Sequence, residues 1–202
     1  MISSVVRIPL KPSSCTLGFG IPTSLREYDR QKKAHESHGE DHENHDFIFS
    51  VERNHYPAVF RFDRFLPEIA ATGARIEPVL TLEKFGALLG EQVSVLTLFA
   101  HQKDDRVEFA DGLATIPQIV EAVPRDYVGI LDLCVCQSPE LARRLRYERS
   151  NIALIRYIEK AATPWRWLWF YLILFKILQT ENSSWPNAFD KTLKAFLIPS
   201  GT

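Results

Sequence analysis

Two short apolar runs, each stopped abruptly by polar chain, constrain the fold of this sequence more than any other feature. The first is Val93-Ser-Val-Leu-Thr-Leu-Phe-Ala-His101, rich in β-branched and aromatic residues and followed by Gln-Lys-Asp-Asp. The second is Tyr127-Val-Gly-Ile-Leu-Asp-Leu-Cys-Val-Cys136, followed by Gln-Ser-Pro. Runs of this kind, bounded by turn residues, read as strands buried on both faces of a parallel sheet. Groups that do chemistry in such sheets collect beyond the carboxyl ends of the strands. A histidine ends one run and a thiol ends the other. Neighbouring strands would therefore bring a base beside a nucleophile, the minimum apparatus for acyl transfer.

Helix signals separate and flank these runs. Thr81-Leu-Glu-Lys-Phe-Gly-Ala-Leu-Leu-Gly90 has an N-cap residue, an early acid, apolar positions 82, 85, 88 and 89, and a terminal glycine. Thr115 to Val123 is helical by the same reading, and Ser138-Pro139 opens a further helix with serine at the cap and proline at the first position. Asn151 to Tyr157 reads as a strand, and Trp165–Leu178 and Trp185–Phe196 as two helices. Strands alternating with helices predict an α/β fold with a mostly parallel sheet.

Upstream, Val5 to Leu10 reads as a short strand, followed by irregular, Pro- and Gly-punctuated chain to about residue 30. Residues 31–46 contain almost nothing apolar and predict a solvated, flexible insertion. Phe47–Val51, Ala58–Phe62 and Arg75–Leu80 are strand-like, and Asp63–Thr72 is a helix stopped at Gly73. Arg106–Gly112 reads as a hairpin strand ending in Asp-Gly, with Asp104 and Asp105 as turn residues. With 202 residues the chain can bury one core, so a single domain over 1–202 is expected.

Bulk properties exclude several classes. The net charge is −1 and basic residues form no long run, which argues against a nucleic-acid surface. The N-terminus has no basic segment followed by a long apolar stretch, so no secretory signal is expected. Three cysteines make a poor disulfide framework, and a reducing cytoplasm is the natural compartment. The apolar stretch Trp165–Leu178 is shorter than the roughly 20 residues a membrane span needs and carries Arg166 and Lys176. It reads as a buried helix, apolar around nearly its whole circumference, with surface left over for a partner. His35, His38, His42 and His45 have spacings that could wrap a metal, but five acids surround them and no cysteine helps, so a solvated loop is the better reading. Neither metal nor cofactor is expected. No Gly-rich phosphate loop or Gly-x-Ser-x-Gly elbow is present.

Five pieces stand in a distinctive order: Leu98-Phe-Ala-His101, Val107-Glu-Phe-Ala-Asp-Gly112, Leu133-Cys-Val-Cys-Gln-Ser-Pro-Glu-Leu-Ala142, Phe170-Tyr171 and Asn187-Ala188-Phe189. Over residues 93–196 this order resembles the CHAT branch of the caspase-like cysteine peptidases. The resemblance implies a caspase-hemoglobinase-like fold with a His/Cys dyad. In that family the thiolate attacks the scissile carbonyl, the imidazole protonates the leaving amine, and backbone amides cradle the oxyanion. Matching the family's Asn-Ala-Cys-x-Ser puts the nucleophile at Cys136 and the base at His101. A helix N-terminus just behind Cys136 would favour the thiolate. An alternative register, Asp132-Leu-Cys134, resembles the Asp-x-Cys of metacaspase-type enzymes. It would make Cys134 the nucleophile and Asp132 the lining of a pocket for a basic substrate residue.

The chain departs from the pattern at one telling place. Relatives commonly have His-Gly, whose glycine supplies an amide to the oxyanion hole, whereas this chain has His101-Gln102. Two functions are therefore expected. One is a cytoplasmic cysteine endopeptidase acting on a protein or peptide and switched on by a separate sensor subunit in bacterial defence or signalling. The other is a catalytically silent caspase-like scaffold in such a complex.

Overall fold

The computed structural model describes residues 6–37, 62, 64–136, 138–158 and 164–197. Its first half runs β1 (Cys15–Phe19), α1 (Leu25–Ser37), α2 (64–71), β2 (Arg75–Glu77), α3 (Leu82–Gly90) and β3 (Val95–Ala100). The second half begins with three short strands, β4 (Gln102–Lys103), β5 (Arg106–Phe109) and β6 (Gly112–Thr115). It continues through α4 (Ile116–Ala122), β7 (Ile130–Cys136), α5 (Pro139–Glu148), β8 (Leu154–Ile158), α6 (Pro164–Thr180) and α7 (Trp185–Leu197).

The two apolar runs become β3 and β7, the adjacent central strands of a parallel five-stranded sheet ordered β2-β1-β3-β7-β8. Their register pairs Val95 with Ile130 and continues step by step to Ala100 with Val135. A second, antiparallel sheet, ordered β4-β5-β6, grows directly from the end of β3. The α/β architecture expected from the sequence is the one observed.

Local chemistry explains where the helices start. The Thr81 side chain accepts from Lys84 N at 3.1 Å, capping α3. Thr115 and Gln118 form a capping box on α4, with Thr115 N donating to Gln118 Oε1 at 2.8 Å. Pro139 stands at the first turn of α5, as its fixed φ favours. Ser138 occupies the cap position there, but its hydroxyl donates back to Val135 O at 3.0 Å and makes no side-chain cap bond.

Each face of the parallel sheet buries its own layer. On one face, Leu96, Leu98, Leu131, Leu133 and Val135 meet Phe85 of α3, Ile119 of α4 and Leu141 of α5. On the other, Leu17, Phe19, Val95, Phe99 and Ile130 meet α2, α6 and α7. Helix α6 is wedged between this face and α7, which accounts for its nearly all-round apolar character. Trp169 remains 47% exposed, with its ring 5.2 Å from that of Phe196 on α7. Among the described residues, no helix is long and apolar enough to cross a membrane.

Four expectations need correction or fall elsewhere. Residues 6–10 form no strand; the first strand is β1, five residues that are all buried. Glycine punctuation disguised it: a Cβ on Gly18 would lie 2.6 Å from Leu80 Cδ2, so the strand needs glycine there to pass beneath Leu80. The solvated insertion expected over 31–46 begins as helix, because residues 31–37 complete α1. Lys, Gln, Glu and Ala are good helix formers, and Arg30 Nε pairs with Glu27 Oε2 at 2.8 Å along the same helix. Residues 38–46, with His38, His42 and His45, lie outside the described residues, as do the strand-like segments 47–51 and 58–61. The strand expected over Arg75–Leu80 is confined to β2.

Candidate functional site

The carboxyl ends of β3 and β7 are the point where the sequence expectations meet. The last register pair is Ala100 with Val135. His101 follows β3 directly and Cys136 is the last residue of β7, so each stands just beyond this last pair. His101 is half-buried and is the single residue between β3 and β4. Its carbonyl accepts from Glu108 N at 2.9 Å. The histidine is therefore held on one side by the parallel sheet and on the other by the antiparallel one.

That bond also sets the direction of the following amide. Gln102 pairs with Val107 across β4 and β5. Flanked by the Glu108 N to His101 O bond, they form a non-hydrogen-bonded pair, in which each residue's N–H points away from the opposite strand. The Gln102 amide is thus turned outward from β5. Its side chain folds over the turn, with Nε2 donating to Asp104 O at 2.8 Å. Asp104 has φ 54°, a left-handed conformation that Asp tolerates in a tight turn.

Cys136 ends β7, and α5 begins three residues later at Pro139. The N-terminus of this ten-residue helix carries partial positive charge toward the end of β7. Cys134, two residues earlier, is a free cysteine, 7% exposed and packed into the same core as Phe99 and Tyr171. Cys15 is buried completely, and burial pushes its thiol up to about 12 despite the Ser14 hydroxyl beside it.

Asp132 lies deeper still. It is 0% exposed, with Oδ1 2.5 Å from Arg156 Nη2 of β8 and Oδ2 accepting from the Tyr171 hydroxyl of α6 at 2.5 Å. Arg156 Nη2 also donates to Tyr171 Oη at 2.7 Å, and the guanidinium lies over the rings of Trp167 and Phe189. Burial pushes the Asp132 carboxyl up, while Arg156 and Tyr171 pull it back. Its carboxylate is thus taken up inside the protein and not offered at the edge, where a substrate pocket would need it.

Three residues of this region escaped sequence reasoning. Arg156 and Tyr171 join Asp132 from elements far apart in the chain; Tyr171 stood out only within the Phe170-Tyr171 pair, and nothing local marks the meeting with Asp132. Glu108 stands between Val107 and Phe109, where alternation predicts a solvent-facing residue, yet it is 0% exposed. A cavity of about 440 Å³, lined by Leu10, Pro12, Thr72 and Leu178 among others, opens near the chain that leads into β1, at the opposite end of the sheet from His101.

The adjacent strands β3 and β7 thus end beside His101 and at Cys136, with Cys134 and Asp132 buried within β7. No protein-family model matches the chain, and no curated protein matches it.

Proposed function

We propose that this chain is a cysteine endopeptidase of the caspase-like type, with His101 as base and acid and Cys136 as nucleophile. One observation supports the reading: Ala100 and Val135, the last register pair of β3 and β7, directly precede His101 and Cys136 in the chain. In this mechanism the imidazole takes the thiol proton, and the thiolate attacks the scissile carbonyl. The same imidazole then gives the proton to the leaving amine. The α5 N-terminus favours the thiolate at the end of β7. The outward-turned Gln102 amide supports an oxyanion donor at the position where relatives use glycine, since the donor is backbone and not side chain. Cys136 is preferred over Cys134, which is 7% exposed and packed into the core beside Phe99 and Tyr171, out of a substrate's reach. Asp132, committed to Arg156, has no substrate contact in this reading.

The substrate is a protein or peptide, and a separate sensor subunit in a bacterial defence or signalling system is the natural switch. A second reading, a silent caspase-like scaffold, is favoured by Gln102 standing where the family's pattern has glycine.

A thiol-reactive peptide probe separates the two. The peptidase reading expects Cys136 to be labelled, with labelling lost in Cys136→Ala and reduced at least about 100-fold in His101→Ala, the usual worth of general base catalysis. Cys134→Ala should retain labelling, and Cys15 should react only after unfolding. A folded chain whose Cys136 stays unmodified, or whose labelling disappears with Cys134→Ala alone, would overturn the assignment.

A further inference from the structure

We infer that Glu108 is a positioning residue for His101, its buried carboxylate opposed to the imidazole across the β4–β5 hairpin and favouring the ring's charged form. The inference rests on the reading of His101 as the base of the site.

The register carries it. Gln102 pairs with Val107 and Lys103 with Arg106, so the next step of the same antiparallel ladder opposes His101 to Glu108. The Glu108 N to His101 O bond of 2.9 Å closes that step. Directly opposed residues of an antiparallel pair project to the same face, with Cβ atoms about 5 Å apart. Val107 and Phe109 face the aliphatic core on the other side, which turns Glu108 toward the face that His101 shares.

Burial gives the opposition its force. Glu108 is 0% exposed, and the end of β1 closes directly over its backbone. A Cβ on Gly20 would come within 2.3 Å of Glu108 O, so this close approach requires glycine. A carboxylate enclosed in this way interacts strongly with any group opposite that can carry positive charge. Among the described side chains of the hairpin and β7, the other ionisable groups near this end of the sheet are Arg106, Cys134 and the turn residues Asp104 and Asp105. The end of β1, Phe19-Gly-Ile21, contributes none. Asp132, deeper on β7, is already engaged by Arg156. Glu108 is the acid that stands directly across from the ring. A buried acid across from the ring stabilises the imidazolium that forms when the thiol is deprotonated, through its charge.

The test is an NMR titration of the histidine rings in the full chain, which contains six histidines, with the His101 signal assigned by its loss in His101→Gln. In the wild type His101 should titrate above its ordinary value of about 6.5. In Glu108→Gln the midpoint should fall by about one pH unit or more, since the neighbouring negative charge is gone, and Glu108→Asp should restore part of the shift. An identical midpoint in wild type and folded Glu108→Gln overturns the inference. So does a wild-type midpoint at or below the ordinary value, a result that stands even where the Gln variant does not fold. The probe experiment on Cys136 keeps the two proposals separable. A midpoint that follows Glu108 in a chain whose Cys136 is never labelled leaves the pairing intact and removes the peptidase. A labelled Cys136 with an immobile midpoint removes the pairing alone.

Discussion

The two faces of the parallel sheet are built on different principles. One is mostly aliphatic: leucine, alanine and valine from β3 and β7 interdigitate with short helices α3, α4 and α5. The other is aromatic and contains charge. Phe19 stacks on Phe99 at 4.8 Å, Phe99 meets Tyr171 edge-on at 5.3 Å, and the Asp132–Arg156–Tyr171 group is set among these rings. Strands β3 and β7 supply both faces from alternate residues, so the contrast arises from what the helices bring. Short amphipathic helices offer aliphatic stripes, whereas α6 brings a nearly continuous aromatic run. The aliphatic face gains stability from area alone. The aromatic face must also keep two opposite charges matched out of water, which ties its integrity to a few atoms.

That difference can be broken most severely at Arg156. Arg156→Ala would leave the Asp132 carboxylate buried without its partner and should cost about 3–5 kcal/mol, read from the urea midpoint. Pairing it with Asp132→Leu should recover much of the loss, because the uncompensated charge is then gone. A single replacement costing under about 1 kcal/mol would mean the pair is dispensable and the faces are equivalent. On the aliphatic face, Leu133→Ala should cost about 2–5 kcal/mol through lost burial and a cavity. This loss should not be rescued by a second change on the opposite face; rescue by an α6 substitution would show the two layers to be one. The smallest effect is expected at the edge of the aliphatic layer. Thr81→Ala removes the α3 cap and should lower stability by about 1 kcal/mol, with Thr81→Ser nearly neutral.

The contrast also governs how much of the molecule was legible in sequence. The aliphatic side was readable because its rules are local. Thr81 and Gly90 bracket α3, Thr115 and Gln118 box α4, and Pro139 opens α5. β3 and β7 are apolar runs that stop where the sheet stops. β1 was not readable, since Gly18 and Gly20, needed for close approach to Leu80 and Glu108, look like loop punctuation. The adjacency of β3 and β7, the strands whose ends carry His101 and Cys136, could be anticipated because both are apolar runs separated by helix signals. Asp132 could not be placed from sequence. Whether an acid in a strand faces a pocket or an internal partner depends on Arg156 and Tyr171, whose approach only the tertiary fold determines. Glu108 was hidden for the same reason, its surroundings being assembled from β1 and the hairpin.

His101, the lone residue between two sheets, has a mechanical consequence. A side chain on an ordinary loop can be swung in and out of register by a few backbone torsions. His101 is clamped at both ends, by the β3 ladder before it and by the Glu108 N–H on its own carbonyl. Displacing it means unzipping hydrogen bonds of one sheet or the other, a stiff deformation. The histidine behaves as the fixed jaw of a vice. If His101 is the base of the site, it is a base that the fold does not let move.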